Sequence, residues 1–166
     1  ARRIKTKEAL IPSDIAISKH EFTLLMLLLD HTEWVAPFHE EELSNLLEDD
    51  DLKYVLAQLH AHLQIHETLQ AASWLAELKE ERHASLVQDA LSSLEKRTLG
   101  GRIYSEEKAS ILYQDTVRTL KIKWANRSIK ALQHVMDQSN LEKERETYIE
   151  AYKQMKILQD FRAKYE

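Results

Sequence analysis

Apolar residues recur every three or four positions along almost the whole chain, which is the spacing of amphipathic helices. The first helix is predicted from "ISKHEFTLLMLLL", residues 17–29, in which Ser18 and Glu21 have the spacing of a capping box. The leucine run that follows is apolar on nearly every side, so this helix is predicted to be central and surrounded by others. Pro37 is predicted to prevent its continuation.

Four shorter helices are predicted before the glycine pair Gly100 and Gly101. The first covers "EEELSNLLE", whose leucines share one face, and the second covers "LKYVLAQLHAHL". The acidic residues 48–51 precede the second of these and supply an N-cap and first-turn carboxylates. Two more helices are predicted over 69–80 and 83–96, and the glycine pair is predicted to end the series.

A long helix and a hairpin are predicted for the rest of the chain. From Ser105 the helical composition continues without a breaker to about Ser139, which corresponds to about 50 Å of helix. A second capping box, Ser139 with Glu142, predicts that the last helix begins after a turn. The predicted fold class is all-α: a multi-helix bundle, followed by a long helix and a C-terminal antiparallel helical hairpin.

The predicted organisation has four parts. Residues 1–16 are a lead-in from a preceding linker, 17–102 a helical bundle subdomain, 103–123 a connecting long helix, and 124–166 a C-terminal helical hairpin subdomain. The change in breaker frequency at the glycine pair motivates the main division.

The charge balance differs between the two sides of that division. Residues 1–102 hold 11 lysines and arginines against 18 aspartates and glutamates, a net charge of −7, whereas residues 103–166 hold 12 against 10, a net charge of +2. The total of −5 argues against general nucleic-acid binding, which demands a clustered positive face.

The composition narrows the class of protein further. Hydrophobic residues make up 43% and charged residues 31%, with only two Gly and two Pro, as expected for helices with few sharp turns. The absence of Cys excludes disulfides and thiolate zinc sites. The longest apolar run, "LLMLLL", is too short to span a bilayer. We therefore expect a cytoplasmic protein with no membrane contact.

The histidines are the first candidates for chemistry. His62 and His66 lie four residues apart, a spacing that lets two imidazoles share a metal ion. Glu67 follows His66 but no second histidine completes an HExxH motif, and no carboxylate is positioned nearby in sequence as an obvious third ligand. The sequence therefore predicts no metal, and a solvated group of histidines at the edge of a helix.

The other motifs of enzymes are missing. The carboxylate runs 40–42 and 48–51 lie at the starts of short helices, where capping explains them better than acid/base chemistry. There is no phosphate-binding glycine loop and no GxSxG nucleophile motif. The sequence predicts no catalytic residue, no cofactor and no small-molecule substrate.

A basic segment around Trp124 raises the alternative of nucleic-acid binding, because cations with an aromatic side chain can follow a nucleic-acid strand. Helical geometry disperses these cations over several faces, so direct nucleic-acid contact is disfavoured and a solvated helix is preferred. The cations are Arg118, Lys121, Lys123, Arg127 and Lys130.

The last helix carries a broad apolar stripe that contains two tyrosines and a methionine. One antiparallel neighbour covers only one arc of a helix, and this stripe is wider than one arc. Tyrosine and methionine are also enriched at protein interfaces. We predict that the stripe binds a partner protein, the alternative being packing inside the chain. Its residues are Tyr148, Ile149, Tyr152, Met155, Leu158 and Phe161.

The order of these parts resembles the C-terminal helicase-binding domain of the bacterial replicative primase (DnaG-type). The resemblance lies in the leucine-rich first helix ending "LLMLLLDHTEWV", the short helices after it, the long helix from Ser105, and the charged final segment 125–166. It covers nearly all residues from about 17 onward and is a resemblance of architecture.

The resemblance implies a non-catalytic module of a primase, the enzyme that synthesises primers in DNA replication. The hairpin would bind the N-terminal domains of the hexameric replicative helicase and so bring primer synthesis to the replication fork. Two alternatives remain: another all-helical adaptor, or a nucleic-acid-binding helical domain without enzymatic activity. A histidine-metal enzyme is the least favoured of the hypotheses.

Overall fold

The computed structural model describes residues 17–97, 106–139 and 144–166. Within these ranges all regular structure is helical, which confirms the all-α prediction. In chain order the elements are α1 (Lys19–Asp30), a 3₁₀ helix (Thr32–Trp34), α2 (Val35–Glu40), a second 3₁₀ helix (Leu43–Leu46), α3 (Asp50–His66), α4 (Ala71–Glu77), α5 (Glu81–Arg97), α6 (Glu106–Gln138) and α7 (Arg145–Ala163).

The predicted central helix is α1. Ser18 is its N-cap, and the Ser18 hydroxyl accepts a hydrogen bond from the backbone N–H of Glu21 at 3.2 Å. Helices α3 and α5 both pack against α1. An apolar helix surrounded in this way leaves almost none of its leucine run in contact with water. Its buried apolar residues are Phe22, Leu24, Leu25, Met26, Leu27, Leu28 and Leu29.

Glu21 links the starts of two helices. Its carboxylate is 3% exposed, and Oε1 accepts hydrogen bonds from the backbone N–H groups of Glu48 at 2.7 Å and Asp49 at 3.3 Å. Asp49 is in turn the N-cap of α3, where its Oδ1 accepts from the N–H of Leu52 at 2.8 Å. The predicted N-cap among the acidic residues is therefore confirmed, and Glu21 satisfies the amides that lead into it.

We expect the substitution Glu21→Gln to destabilise the fold by about 1–2 kcal/mol, because an amide oxygen accepts these hydrogen bonds less strongly than a carboxylate does. Urea unfolding followed by circular dichroism measures the difference. Glu146→Gln is the matched control, since Glu146 lies in the first turn of α7 but is exposed. Equal effects of the two substitutions would contradict the linking role of Glu21.

The break after α1 comes within one residue of the predicted end of the first helix at residue 29. The chain leaves the helix at His31, whose φ and ψ are −126° and 73°, and the 3₁₀ helix follows at once. Pro37 lies inside the first turn of α2, where its missing N–H would have no intrahelical partner in any case. The first helix does not continue, as predicted, but it ends at Asp30, so Pro37 lies in the next helix and not at the break.

Aromatic side chains fill the space beside that break. The ring of buried His31 stacks on Trp34 with centroids 4.2 Å apart, and Trp34 contacts Tyr113 at 5.0 Å. Burial, and secondly the carboxylate of Glu41, raises the pKa of Tyr113 to about 12. The phenol of Tyr113 therefore stays neutral throughout the physiological pH range.

Helices α4 and α5 confirm the two short helices predicted over 69–80 and 83–96, with bounds that differ by a few residues. Trp74 of α4 is 1% exposed. At the start of α5, buried His83 lies with Nε2 2.9 Å from Oδ1 of Asp51, and Tyr54 stacks on its ring. This contact attaches α5 to the first turn of α3.

The chain divides into two compact units, residues 1–116 and residues 117–166. Helix α6 is continuous across that boundary, from Glu106 to Gln138. The lead-in 1–16, most of the segment around the glycine pair and the capping residue Glu142 lie outside the described residues. The finer division into a bundle, a connecting helix and a hairpin stays a prediction.

Hydrogen exchange tests that division. We expect the amides of α7 to open at a lower free energy than those of α1, because a two-helix hairpin has fewer buried contacts per residue than a bundle. Native-state exchange followed by mass spectrometry or NMR gives both values. Uniform protection of α1 and α7 would count against separate units.

The second unit is an antiparallel hairpin of α6 and α7, as predicted. Residues early in this part of α6 contact residues late in α7. The guanidinium of Arg162 donates to Oδ1 of Asn126 at 2.9 Å, and the rings of Trp124 and Phe161 meet edge to face with centroids 5.5 Å apart. Ala125 and Ala151 are buried, which lets the two backbones approach closely.

Candidate interaction surface and histidine cluster

One face of α7 closes the hairpin. Phe161 lies against Trp124, and the ammonium of Lys121 sits 4.4 Å from the centroid of the Tyr165 ring. Lys121 also donates to the Tyr165 hydroxyl at 3.2 Å, and Arg118 donates to its backbone carbonyl at 3.2 Å. The last turn of the chain is therefore bound by two cations of α6.

Another face of α7 leaves apolar side chains in water. Ile149 is 39% and Tyr152 44% exposed, and these residues are neighbours on the helix surface because they lie three apart. The ammonium of Lys156 lies 5.6 Å from the centroid of the Tyr152 ring. We call Ile149, Tyr152 and Lys156 the exposed edge of α7. The other four residues of the predicted stripe, Tyr148, Met155, Leu158 and Phe161, are partly buried.

The structure places Phe161 against α6 and brings Ile149 and Tyr152 together at the surface, while the partner-binding role of the stripe stays a prediction. Sequence reasoning missed Ile157, which is 60% exposed. Ile157 lies eight residues after Ile149, with the charged Lys153 between them, so a search for apolar residues at steps of four from Ile149 does not find it. A third exposed apolar side chain thus extends the surface toward the C-terminus.

The structure also changes the nucleic-acid hypothesis. Of the cations around Trp124, Arg118 and Lys121 are engaged by Tyr165 within the hairpin. A cation that already binds a carbonyl or an aromatic ring must give up that contact before it can bind a phosphate. The basic segment therefore contributes to holding the hairpin together.

The prediction of solvated histidines is wrong for His62. Its side chain is completely buried, because α4 folds back over the last turns of α3. The ring nitrogen Nε2 accepts a hydrogen bond at 3.1 Å from the backbone N–H of Gln70, the N-cap residue of α4. The ring of Trp74 lies beside it, with centroids 6.1 Å apart. His62 thus holds the start of α4.

The fold also supplies the third ligand that the sequence lacked nearby. Glu77, at the end of α4, joins His62 and His66, and one ligand atom from each of the three lies within 4.8 Å of the others. The rings of the two histidines are 4.5 Å apart, and Oε2 of Glu77 is 3.9 Å from Nδ1 of His62. We call these three residues the histidine cluster.

A second histidine pair lies on α2 and α3. His39 and His60 stack with ring centroids 3.9 Å apart. Burial, and secondly the proximity of His39, lowers the pKa of His60 below its usual 6.5, and the carboxylate of Glu40 opposes this shift. Two stacked imidazoles resist carrying charge together.

We expect this pair to make the fold less stable in mild acid. Because the pKa of His60 is lower in the folded than in the unfolded chain, the unfolded chain binds more protons. The stability that neutral His60 contributes is complete above pH 6.5 and is lost as the pH falls through 6.5 to the lowered pKa. In an NMR titration, His39→Ala should raise the pKa of His60 toward 6.5, and the other histidines should titrate as before. An unchanged pKa of His60 would exclude the electrostatic effect of His39.

No family model, curated protein or solved structure matches the chain. None of the described helices combines the length and the apolar character needed to cross a membrane.

Proposed function

We propose that this chain is the non-catalytic helicase-binding module of a bacterial replicative primase, acting in the cytoplasm. In this proposal the hairpin binds the N-terminal domains of the hexameric replicative helicase and couples primer synthesis to the fork. The order of parts supports it: a leucine-rich central helix, short helices around it, a continuous long helix and a terminal hairpin. The proposed module needs no cofactor and no small-molecule substrate.

The observation that carries the proposal is the exposed edge of α7 together with Ile157. A hairpin of two helices buries one face of each, and Ile149, Tyr152 and Ile157 remain 39%, 44% and 60% exposed on α7. Exposed apolar side chains gain free energy when a partner removes them from water. Tyrosine adds a large contact area with few rotatable bonds, which suits an interface anchor.

Size-exclusion chromatography tests the proposal directly. The chain is mixed with the replicative helicase of the same organism, and the expected result is co-elution with the hexamer. The matched negative variant is Ile149→Asp with Tyr152→Asp, which should elute separately. The control is Ile65→Asp, since this α3 residue is also an exposed apolar side chain but lies in the first unit.

The outcomes separate the alternatives. Failure of the chain to co-elute with the helicase would contradict the primase proposal. The hypothesis of a general helical adaptor would then remain. Loss of co-elution in the α3 control, with the α7 variant unaffected, would assign the interaction to the bundle. Binding to single-stranded DNA that weakens steeply with salt would favour the nucleic-acid alternative.

A further inference from the structure

One ring nitrogen of His62 is buried without a partner. Nε2 accepts from the N–H of Gln70, so the neutral ring carries its proton on Nδ1. Nδ1 has no hydrogen-bond partner among the described residues, and the nearest carboxylate oxygen, Oε2 of Glu77, is 3.9 Å away, too far for a hydrogen bond. A buried donor left unpaired is costly, so the position calls for an explanation.

The side chains around that nitrogen are of the types that bind metal ions. Two imidazoles and one carboxylate form a ligand set that proteins use for zinc when a fourth position is left for water. Ligand atoms on one tetrahedral zinc ion lie about 3.3 Å apart, given metal–ligand bonds of about 2.0–2.1 Å. Here Nδ1 of His62 and Oε2 of Glu77 are 3.9 Å apart, and the three ligand atoms all lie within 4.8 Å of one another, so the cluster must contract to bind zinc. Glu77 has a side chain that is 57% exposed and His66 is half-buried, so both can close on the fixed ring of His62.

The backbone between the ligands is strained. Glu67, the residue after α3, has φ 58° and ψ −41°, and the N–H of Thr68 donates to the carbonyl of His66 at 2.5 Å. This is a γ-turn with positive φ at a residue that is not glycine, a conformation that is rarely populated. The turn reverses the chain directly after His66, so that α4 returns Glu77 to the histidines.

We propose that the histidine cluster binds a borderline divalent cation such as Zn²⁺ through Nδ1 of His62, an imidazole nitrogen of His66 and a carboxylate oxygen of Glu77. Hard cations such as Ca²⁺ and Mg²⁺ prefer sites made of oxygen ligands and are not expected here. The proposal is independent of the helicase interaction, because it concerns α3 and α4 alone.

The binding step has a defined proton balance. The cation displaces the proton of Nδ1 to solvent, and Nε2 takes up one proton from solvent, so the ring stays neutral and no net proton is released. That proton faces the N–H of Gln70, so the hydrogen bond from Gln70 to His62 is lost. Cation binding is thereby coupled to a looser start of α4.

Calorimetric titration of the chelator-treated chain with zinc alone tests the site. We expect one zinc ion per chain, and affinity reduced by at least about tenfold in Glu77→Gln and in His66→Ala, since even loss of an outer-shell partner of a metal ligand costs about 10–100-fold. Both residues lie outside the core, so circular dichroism should show both variants folded. His39→Ala is the control and should bind zinc as the unaltered chain does.

A second readout distinguishes this site from loosely bound zinc. Amide exchange at Gln70 should become faster when zinc is added to the unaltered chain, and should not change in Glu77→Gln. The proposal is overturned if the chain binds no zinc, if both cluster variants bind it as tightly as the unaltered chain, or if zinc leaves the exchange of Gln70 unchanged.

Discussion

Replacing Tyr152 and Met155 together by Ala is expected to weaken binding to the replicative helicase by about 2–4 kcal/mol, the range seen for buried interface anchors. Both residues belong to the predicted stripe on α7. Tyr152 is 44% exposed and Met155 is partly buried beside it, so the pair offers area to a partner without forming the centre of the hairpin. Isothermal titration calorimetry with the helicase measures the loss.

The melting temperature of the chain should hardly change in the same variant, because the buried contacts between α6 and α7 involve other residues. Trp124 and Phe161 keep their edge-to-face contact, and Ala125 and Ala151 stay at the helix interface. A variant that loses affinity and also melts early would indicate that the stripe is internal packing.

Deleting residues 141–166 tests the same hypothesis, that the hairpin binds the helicase. We expect the truncated chain to lose helicase binding, while the fold of 17–97 survives because that part has its own core of α1, α3 and α5. If the truncated chain still co-elutes with the helicase at full affinity, the bundle carries the interaction and the hairpin hypothesis is wrong.

The parts of this fold that sequence reasoning predicted are those that depend on neighbouring residues. Ser18 and Asp49 cap the helices that follow them, since capping needs only a side-chain oxygen two or three residues before a free N–H. The burial of the leucine run in α1 also follows from its local pattern, because an all-apolar helix has no polar face to turn toward water.

The parts that escaped prediction depend on contacts between residues far apart in the chain. The carboxylate of Glu21 was assigned to its own helix, but it also binds amides at Glu48 and Asp49. His62 was assigned to the surface because nothing near it in sequence shows that α4 folds back over α3. Such a reversal depends on the turn at Glu67, a position that local patterns mark only weakly.

The candidate surface on α7 also has one feature that local patterns predict and one that depends on contacts with another helix. The helical spacing of the stripe predicts an apolar arc wider than one neighbour covers, and two of its members, Ile149 and Tyr152, are exposed. It could not tell which edge faces α6, because that depends on the rotation of α7 about its axis. Small residues determine that rotation: buried Ala151 faces the hairpin interface, which leaves Ile149 and Tyr152 outside. An alanine carries almost no signal in a hydrophobic pattern.

Substitution of His62 by Ala is expected to destabilise the fold by about 2–4 kcal/mol, whereas the sequence alone predicted no effect. The substitution removes a buried ring beside Trp74 and leaves a cavity. It also leaves the N–H of Gln70 without its acceptor at the start of α4, which adds the cost of an unpaired amide. Both losses weaken the contact between α3 and α4.

His66→Ala is the matched control for that experiment. His66 belongs to the same helix and the same cluster, but it is only half-buried, and we expect its loss to change stability by no more than about 0.5 kcal/mol. Chemical unfolding of both variants after treatment with chelator, followed by circular dichroism, separates the structural role of His62 from any effect of bound zinc. Equal stability of the two variants would show that the fold does not depend on the hydrogen bond from Gln70. A large loss for His62→Ala alone would establish that the buried imidazole of His62 supports the start of α4.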